Sequence, residues 1–247
     1  MRRDEADRIA ARASFQKLSP KEKAAHIWQY YKWYFLLGLA ALIVAGSVLH
    51  RQLTKKTPVL YLSYLNVIVG SDMDAALTED YLTAADLNPA KAEICVYRDL
   101  YLSEDASVQT HETAYASKIK LLAAIENRQL DIVLMNREAW DILSHNGYLL
   151  ELTELQDSDP SPAERLNPYL KENDVILSDN AIEVQLGEAE AYEAETKSVR
   201  NAIDLSAMSL FAEAGFGESV YMGIIANTPR REECIRYLTY LTCGTVR

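Results

Sequence analysis

Two short polar clusters carry the residue types from which a binding site could be built. Gly70-Ser71-Asp72 follows the apolar run Val59 to Val69, and Asn136-Arg137 follows the run Leu130 to Met135. Both runs read as strands and both clusters open a helical pattern. A serine hydroxyl with the free amides of a helix start can hold an anionic or hydroxylated group, and an arginine can pair with a carboxylate. In an open α/β sheet such residues line the crevice at the carboxyl ends of the strands, which makes Gly70, Ser71, Asp72, Asn136 and Arg137 the candidate ligand contacts. The plainer alternative is ordinary helix capping at Ser71 or Asp72 and a surface arginine.

Catalytic chemistry has less to work with. After residue 57 the histidines are His111 and His145, with no GxSxG or HExxH around them, so no nucleophile, base and orienting group can be named together. Gly215-Phe216-Gly217 lacks the third glycine of a dinucleotide loop and precedes its strand, which makes it a turn. Glu154, Asp157 and Asp159 miss the EF-hand spacing and read as a solvated acidic loop. Cys95, Cys234 and Cys243 show no CxxC or Cys/His spacing; structural packing is the reading, with a Cys234–Cys243 bridge geometrically open but not expected. The expectation is a non-enzyme without metal or cofactor.

Charge divides the chain. Residues 1–56 carry a net charge of +7 and residues 57–247 carry −18. So acidic a C-terminal part repels phosphate backbones, and nucleic acid is excluded as a partner. Between the parts lies Trp33 to Leu49, 17 residues without a charge, flanked by Lys32 and by His50-Arg51. As a helix it spans roughly 25 Å, the short end of what a bilayer core requires, and Lys32 and Arg51 can snorkel to close the gap. Ser19-Pro20-Lys21-Glu22 is a helix start signal, and Trp28, Tyr30, Tyr31, Trp33 and Tyr34 suit the headgroup layer. Arg2, Arg3, Arg8, Arg12, Lys17, Lys21, Lys23 and Lys32 outnumber Arg51, Lys55 and Lys56, which holds the N-terminus in the cytoplasm. A cleaved signal peptide with small residues at Ala45-Gly46-Ser47 is the rival, against which stand the 32-residue leader and the length of the apolar run. The organisation expected is a cytoplasmic segment 1–32, a transmembrane helix 33–50, a linker 51–57 and an extracytoplasmic α/β domain 58–247, a single-pass protein of the cell membrane.

Within that domain the pattern runs strand 59–69, a helix from Asp72, strand 92–102, helix 112–129, strand 130–135 and helix 137–145 ending at Gly147. Tyr115, Ile119, Leu122 and Ile125 mark the apolar face of the 112–129 helix. Further on come a short helix within 156–174, a strand Val175 to Leu186, a solvated acidic stretch at Glu188, Glu190, Glu193 and Glu195, and strand Ser198 to Leu205. A short helix near Met208 to Ala214, strand Ser219 to Ala226 and helix Arg230 to Leu241 complete it. Strands alternating with helices predict an α/β domain with a mostly parallel sheet and flanking helices.

Residues 118–155 resemble a segment of the extracellular solute-binding proteins of bacterial ABC importers. In that family a helix of the form xxLxAxIxxGxxD feeds a strand DVVxxx and a helix ending xxGxLxxL. The matching positions are Leu121, Ala124, Ile125, Asp131, Ile132, Val133, Gly147, Leu149 and Leu152. Residues 220–241 are similar to the family's return strand and closing helix, with Glu233, Tyr237 and Leu241 in place. The resemblance implies one lobe of a type II periplasmic-binding-protein fold. The chain departs from the family in leaving little room for a second lobe, and in lacking a cysteine near its anchor for lipidation. Two functions follow: a membrane-anchored module that captures a small solute or peptide for an ABC permease, or a non-catalytic scaffold of an envelope complex.

The charge asymmetry yields a direct test. Protease added to intact protoplasts is expected to remove the chain beyond about residue 57 and leave a protected N-terminal fragment, whereas protection of the large domain would reverse the orientation.

Overall fold

The computed structural model describes residues 19–105, 112–155, 166–206, 208, 211, 216 and 219–243, with side chains throughout except at 22–27, 29–31, 53, 155 and 243. The basic residues up to Lys17, His111, Asp157, Asp159, Gly215, Gly217, most of Met208 to Ala214 and the side chains of Lys23, Tyr30, Tyr31 and Cys243 therefore lie outside it. The chain forms two compact units, Met1–Lys55 and Lys56–Arg247.

The first unit contains helix α1, Pro20–Thr54, which begins at the proline of the start signal. Its segment Lys32–Gln52 is long and apolar enough to cross a membrane, and its side chains are exposed rather than packed into a protein core. At 21 residues it reaches about 30 Å, matching a bilayer's hydrocarbon thickness.

The second unit is a three-layer α/β structure. Its strands are β1 (Thr57–Leu65), β2 (Ala92–Leu100), β3 (Ile132–Met135), β4 (Leu170–Asp179), β5 (Ala194–Asp204) and β6 (Tyr221–Ile224). They lie in the order β2-β1-β3-β6-β5-β4. β2, β1 and β3 are parallel, whereas β6 runs antiparallel to β3, β5 to β6 and β4 to β5. The sheet is thus mixed, parallel as expected at its β2-β1-β3 core and antiparallel beyond it. After β3 the chain no longer returns through crossover helices, so the remaining strands pair by reversal.

The helices of this unit are α2 (residues 71–84), α3 (Glu112–Glu126), α4 (Arg137–His145), α5 (Ala181–Leu186) and α6 (Arg231–Cys243). Strand alternation sends Ile132 and Leu134 to one face and Val133 and Met135 to the other. The first face packs on Leu77, Tyr81 and Leu82 of α2 and on Cys234, Tyr237 and Leu238 of α6. The second packs on Leu121 and Ile125 of α3 and on Ala139, Trp140 and Leu143 of α4. At β6, a Cβ on Gly223 would sit 2.9 Å from Leu149 Cδ2 and 3.3 Å from the Asn201 carbonyl oxygen, so glycine lets β5 and Leu149 close on this strand.

Several elements differ from the sequence expectation. β1 stops at Leu65 because Asn66 adopts a left-handed φ of 58°. The buried face of α3 is Ala114, Leu121, Ala124 and Ile125, leaving Tyr115 and Ile119 exposed; alanines carry part of this interface, which a search for large apolar residues passes over. The strand expected over Val175 to Leu186 starts earlier, at Leu170, and gives way to α5, which Gly187 ends at φ 76°. Gly147 has the left-handed conformation expected of it, at φ 68°. Cys234 is a free, buried thiol.

Helix α2 contains a π turn, Ala76–Asp80, between its α-helical ends. Two tyrosines of α6 reach this turn: Tyr237 donates to the Leu77 carbonyl at 2.9 Å and Tyr240 to the Ala76 carbonyl at 3.0 Å. Tyr81 packs edge-on against both rings, at 4.8 and 5.4 Å. Replacing Tyr237 or Tyr240 by phenylalanine is expected to lower unfolding free energy by about 1 kcal/mol each, while Leu238→Ala costs about 2–5 kcal/mol. Urea denaturation followed by circular dichroism measures both; equal effects would show that the hydroxyl contacts matter as much as core volume.

Candidate functional site

The carboxyl ends of β1 and β3 lie side by side, since the two strands are parallel neighbours. Helix α2 follows the first and α4 the second, so the two expected clusters do open at the same end of the sheet. Their side chains are engaged locally. Gly70 is the N-cap of α2 and its carbonyl accepts from the Asp74 amide at 2.8 Å. Ser71 and Asp72 are exposed, and the Ser71 hydroxyl donates to Asp72 Oδ1 at 3.3 Å. Neither residue caps the helix with its side chain.

Asn136 is the N-cap of α4, its Oδ1 accepting from the Ala139 amide at 3.0 Å. Arg137 is exposed, lies over the Trp140 ring at 4.6 Å and pairs with Asp141 at 2.9 Å. The hydrogen bond that Arg137 donates to Asp141 raises the guanidinium pKa further above its ordinary value. Asp141 also accepts from Asn173 Nδ2 of β4 at 2.8 Å, so Arg137 belongs to a chain tying α4 to β4.

The loop beyond β1 is closed by Asn66, a residue the run 59–69 concealed. Its Nδ2 donates to the Leu102 carbonyl at 2.6 Å and its Oδ1 accepts from the Leu102 amide at 2.8 Å. An asparagine tolerates the left-handed backbone this clip requires, and its position amid β-branched residues was the available signal. Beside it, Asp74 accepts from the Tyr64 hydroxyl at 2.8 Å and from Arg98 through Nε at 3.2 Å and Nη2 at 2.6 Å. Burial, then the Asp74 hydrogen bond, pushes the Tyr64 phenol far above its usual range.

The opposite end of the sheet holds the most buried charge. Asp131 is fully buried before β3; its Oδ2 accepts from the Tyr61 amide and from Arg230 Nε, both at 2.8 Å, and its Oδ1 from the Thr228 hydroxyl. Arg230 stacks over the Tyr61 ring at 4.6 Å and donates to the Arg128 carbonyl at 2.7 Å. Every member of this cluster has its partners within the fold, as a buried charge requires. A second buried network runs from Trp140 Nε1 to Asn201 Oδ1 at 2.9 Å, from Asn201 Nδ2 to Ser144 Oγ at 2.7 Å and from Ser144 to the Asp174 carbonyl at 2.8 Å.

No group of three or more His, Cys, Asp or Glu side chains among the described residues is placed to hold a metal ion. Burial raises the Cys95 and Cys234 thiols, which keeps them protonated and weakly nucleophilic at neutral pH. His145 sits half-buried in the last turn of α4, and Glu154 pairs with Arg231 at 3.7 Å.

No protein-family model matches the sequence, and no curated protein matches it. Among solved structures, comparison pairs it with a Corynebacterium glutamicum OxyR C206 mutant, 12% identical, over 91% of this chain and 74% of that chain, with a TM-score of 0.27.

The Asp131 cluster gives a sharp expectation for stability. Arg230→Met removes the charge partner while keeping much of the side-chain volume, leaving a buried carboxylate unpaired, and should cost about 3–5 kcal/mol. The denaturation midpoint should fall with an unchanged m-value; a loss below 1 kcal/mol would mean that water reaches Asp131.

Proposed function

We propose that this chain is a membrane-anchored, non-catalytic interaction module of the cell envelope, a scaffold whose outer domain is derived from one lobe of a type II periplasmic-binding-protein fold. The observation that carries this reading is the engagement of two of the residues expected to capture solute, Asn136 and Arg137, although Ser71 and Asp72 stay exposed. Asn136 is spent on a helix cap, Arg137 on Asp141 and Trp140, and the loop after β1 is clipped shut by Asn66. A single sheet supports it as well. Only residues 205–220 separate β5 from β6, and one sheet among the described residues offers no second lobe to close on a ligand as a clamshell does.

The lobe assignment is supported by three parallel strands in the order β2-β1-β3, by a final strand returning antiparallel beside β3, and by α6 packing back on the core next to β1. Helix Lys32–Gln52 supports the anchor, and the excess of Lys and Arg before it supports a cytoplasmic N-terminus with the acidic domain outside. The partner in this reading is another envelope protein.

Solute or peptide capture for an ABC permease is the second reading. It is favoured by one feature, the start of α2 and of α4 at the carboxyl ends of adjacent parallel strands. Calorimetric titration of the purified protein with sugars, amino acids and short peptides separates the two. No heat is expected; binding that Ser71→Ala or Arg137→Ala weakens would replace the scaffold by capture.

A further inference from the structure

Strands β4 and β5 pair along their whole length, from Leu170 opposite Ile203 to Asp179 opposite Ala194, but β5 meets β6 only at Ile203 and Asp204. Next to the sheet the pair still meets α4 through Asn173 and Asn201 and buries Val199, but its far half, residues 177–179 and 194–198, is an exposed ribbon with α5 and the turn to Glu193 at its tip. A single exposed apolar side chain is ordinary, but several on one short segment point to a contact surface. This tip exposes Leu177 (58%), Ile182 (69%), Leu186 (67%) and Tyr192 (54%). Leu177 occupies an irregularity in the pairing between Ile176 and Ser178, where a bulge re-aims a side chain. Ile182 and Leu186 are four residues apart, on one face of α5.

The tip is ordered before anything binds. The Asn180 amide donates to the Glu193 carbonyl at 3.1 Å, its Oδ1 accepts from the Glu193 amide at 2.7 Å, and its Nδ2 donates to the Ala191 carbonyl at 2.9 Å. The Tyr192 hydroxyl donates to Asp179 at 3.1 Å. Such closure lowers the ordering entropy that association would otherwise cost.

Charge then identifies the occupant. Between Leu177 and Glu195 stand Asp179, Glu183, Glu188, Glu190, Glu193 and Glu195 and no Lys or Arg. Among the described residues none of these six carboxylates forms a salt bridge, and the cations at the ribbon's base are already paired, Lys197 with Glu151 at 3.0 Å and Arg200 with Glu172 at 2.9 Å. Exposed apolar side chains interspersed with carboxylates that form no salt bridge match a surface on which cations accompany apolar groups. An anionic lipid surface and a second copy of the same tip are both repelled.

We propose that the tip of this ribbon, residues 177–195, docks a segment of a partner protein in which Lys or Arg residues flank apolar side chains. The proposal rests on the interaction-module reading and assigns it a surface.

The test places a photo-crosslinking amino acid at Tyr192 of the intact chain in its own membrane. One protein adduct is expected, its crosslinked peptide carrying Lys or Arg on both sides of apolar residues. Leu186→Ser, and separately Glu188→Lys with Glu190→Lys, should each reduce that adduct about tenfold, as loss of an interface anchor does. These side chains are exposed, so unchanged melting of the variants keeps the result interpretable. Adducts confined to lipid or to a second copy of this chain, a crosslinked peptide without cations, or no adduct would overturn the proposal. Solute heat in the calorimetric titration, with the adduct intact, removes the scaffold reading and leaves the docking tip; no heat and no adduct removes the tip alone.

Discussion

The α/β domain depends on a carboxylate that water does not reach. Asp131 takes hydrogen bonds from Tyr61 on β1, Thr228 after β6 and Arg230 at the entry to α6, partners 70, 97 and 99 residues away. A buried charge left unpaired is severely penalised, so these segments must meet together or not at all. The requirement fixes where the last strand stops and where the last helix starts. With Arg230 held, α6 follows over Leu77 and Tyr81 and completes the face of the sheet that β1 begins. A salt bridge of this kind adds modest net stability beside a hydrophobic substitute; its larger contribution is to disfavour other ways of closing the sheet.

Much of this architecture is legible in the sequence, and the parts that are not have identifiable physics. Helix α4 is a short helix between an asparagine cap and a left-handed glycine, and its limits follow from local residues alone. The strand-to-helix order through β3 is equally local. Antiparallel return of β6 and β5 is not, because period-two alternation is the same in either direction. Asn180 and Gly187 punctuate the hairpin tip, yet Ile182, Val184 and Leu186 between them alternate as a strand would, and only the Asn180 clip and the Gly187 cap decide for α5. For α3 the interface runs through Ala114 and Ala124, and an amphipathic reading weighted toward Tyr115 and Ile119 turns the helix the wrong way.

The candidate ligand residues show a related limit. Gly-Ser-Asp and Asn-Arg at helix starts look alike whether they bind a ligand or finish a helix, because both tasks use the same free amides and the same short polar side chains. What separates them is the partner each side chain has found. Arg137 meets Asp141 one turn along its own helix and is further tied to Asn173, thirty-six positions later and beyond any spacing rule. Asn201 is likewise ordinary as a residue. At an irregularity in the β4–β5 pairing it turns into the core and satisfies Trp140 and Ser144 at once.

The π turn in α2 has a consequence for how this helix can change over generations. Such a turn holds one residue more than an α turn, and each residue rotates the remainder of the helix by about 100°. Tyr81 and Leu82 stay aimed at the core because the wide turn Ala76–Asp80 absorbs that extra residue. Regular α-helical bonding through the same number of residues would swing Tyr81 off the rings of Tyr237 and Tyr240, whereas losing one position there would restore that bonding and leave Tyr81 in phase. Length at this point in the chain can therefore vary by one residue while the phase that the distant helix requires is kept, at the cost of the wide-turn carbonyls that Tyr237 and Tyr240 engage.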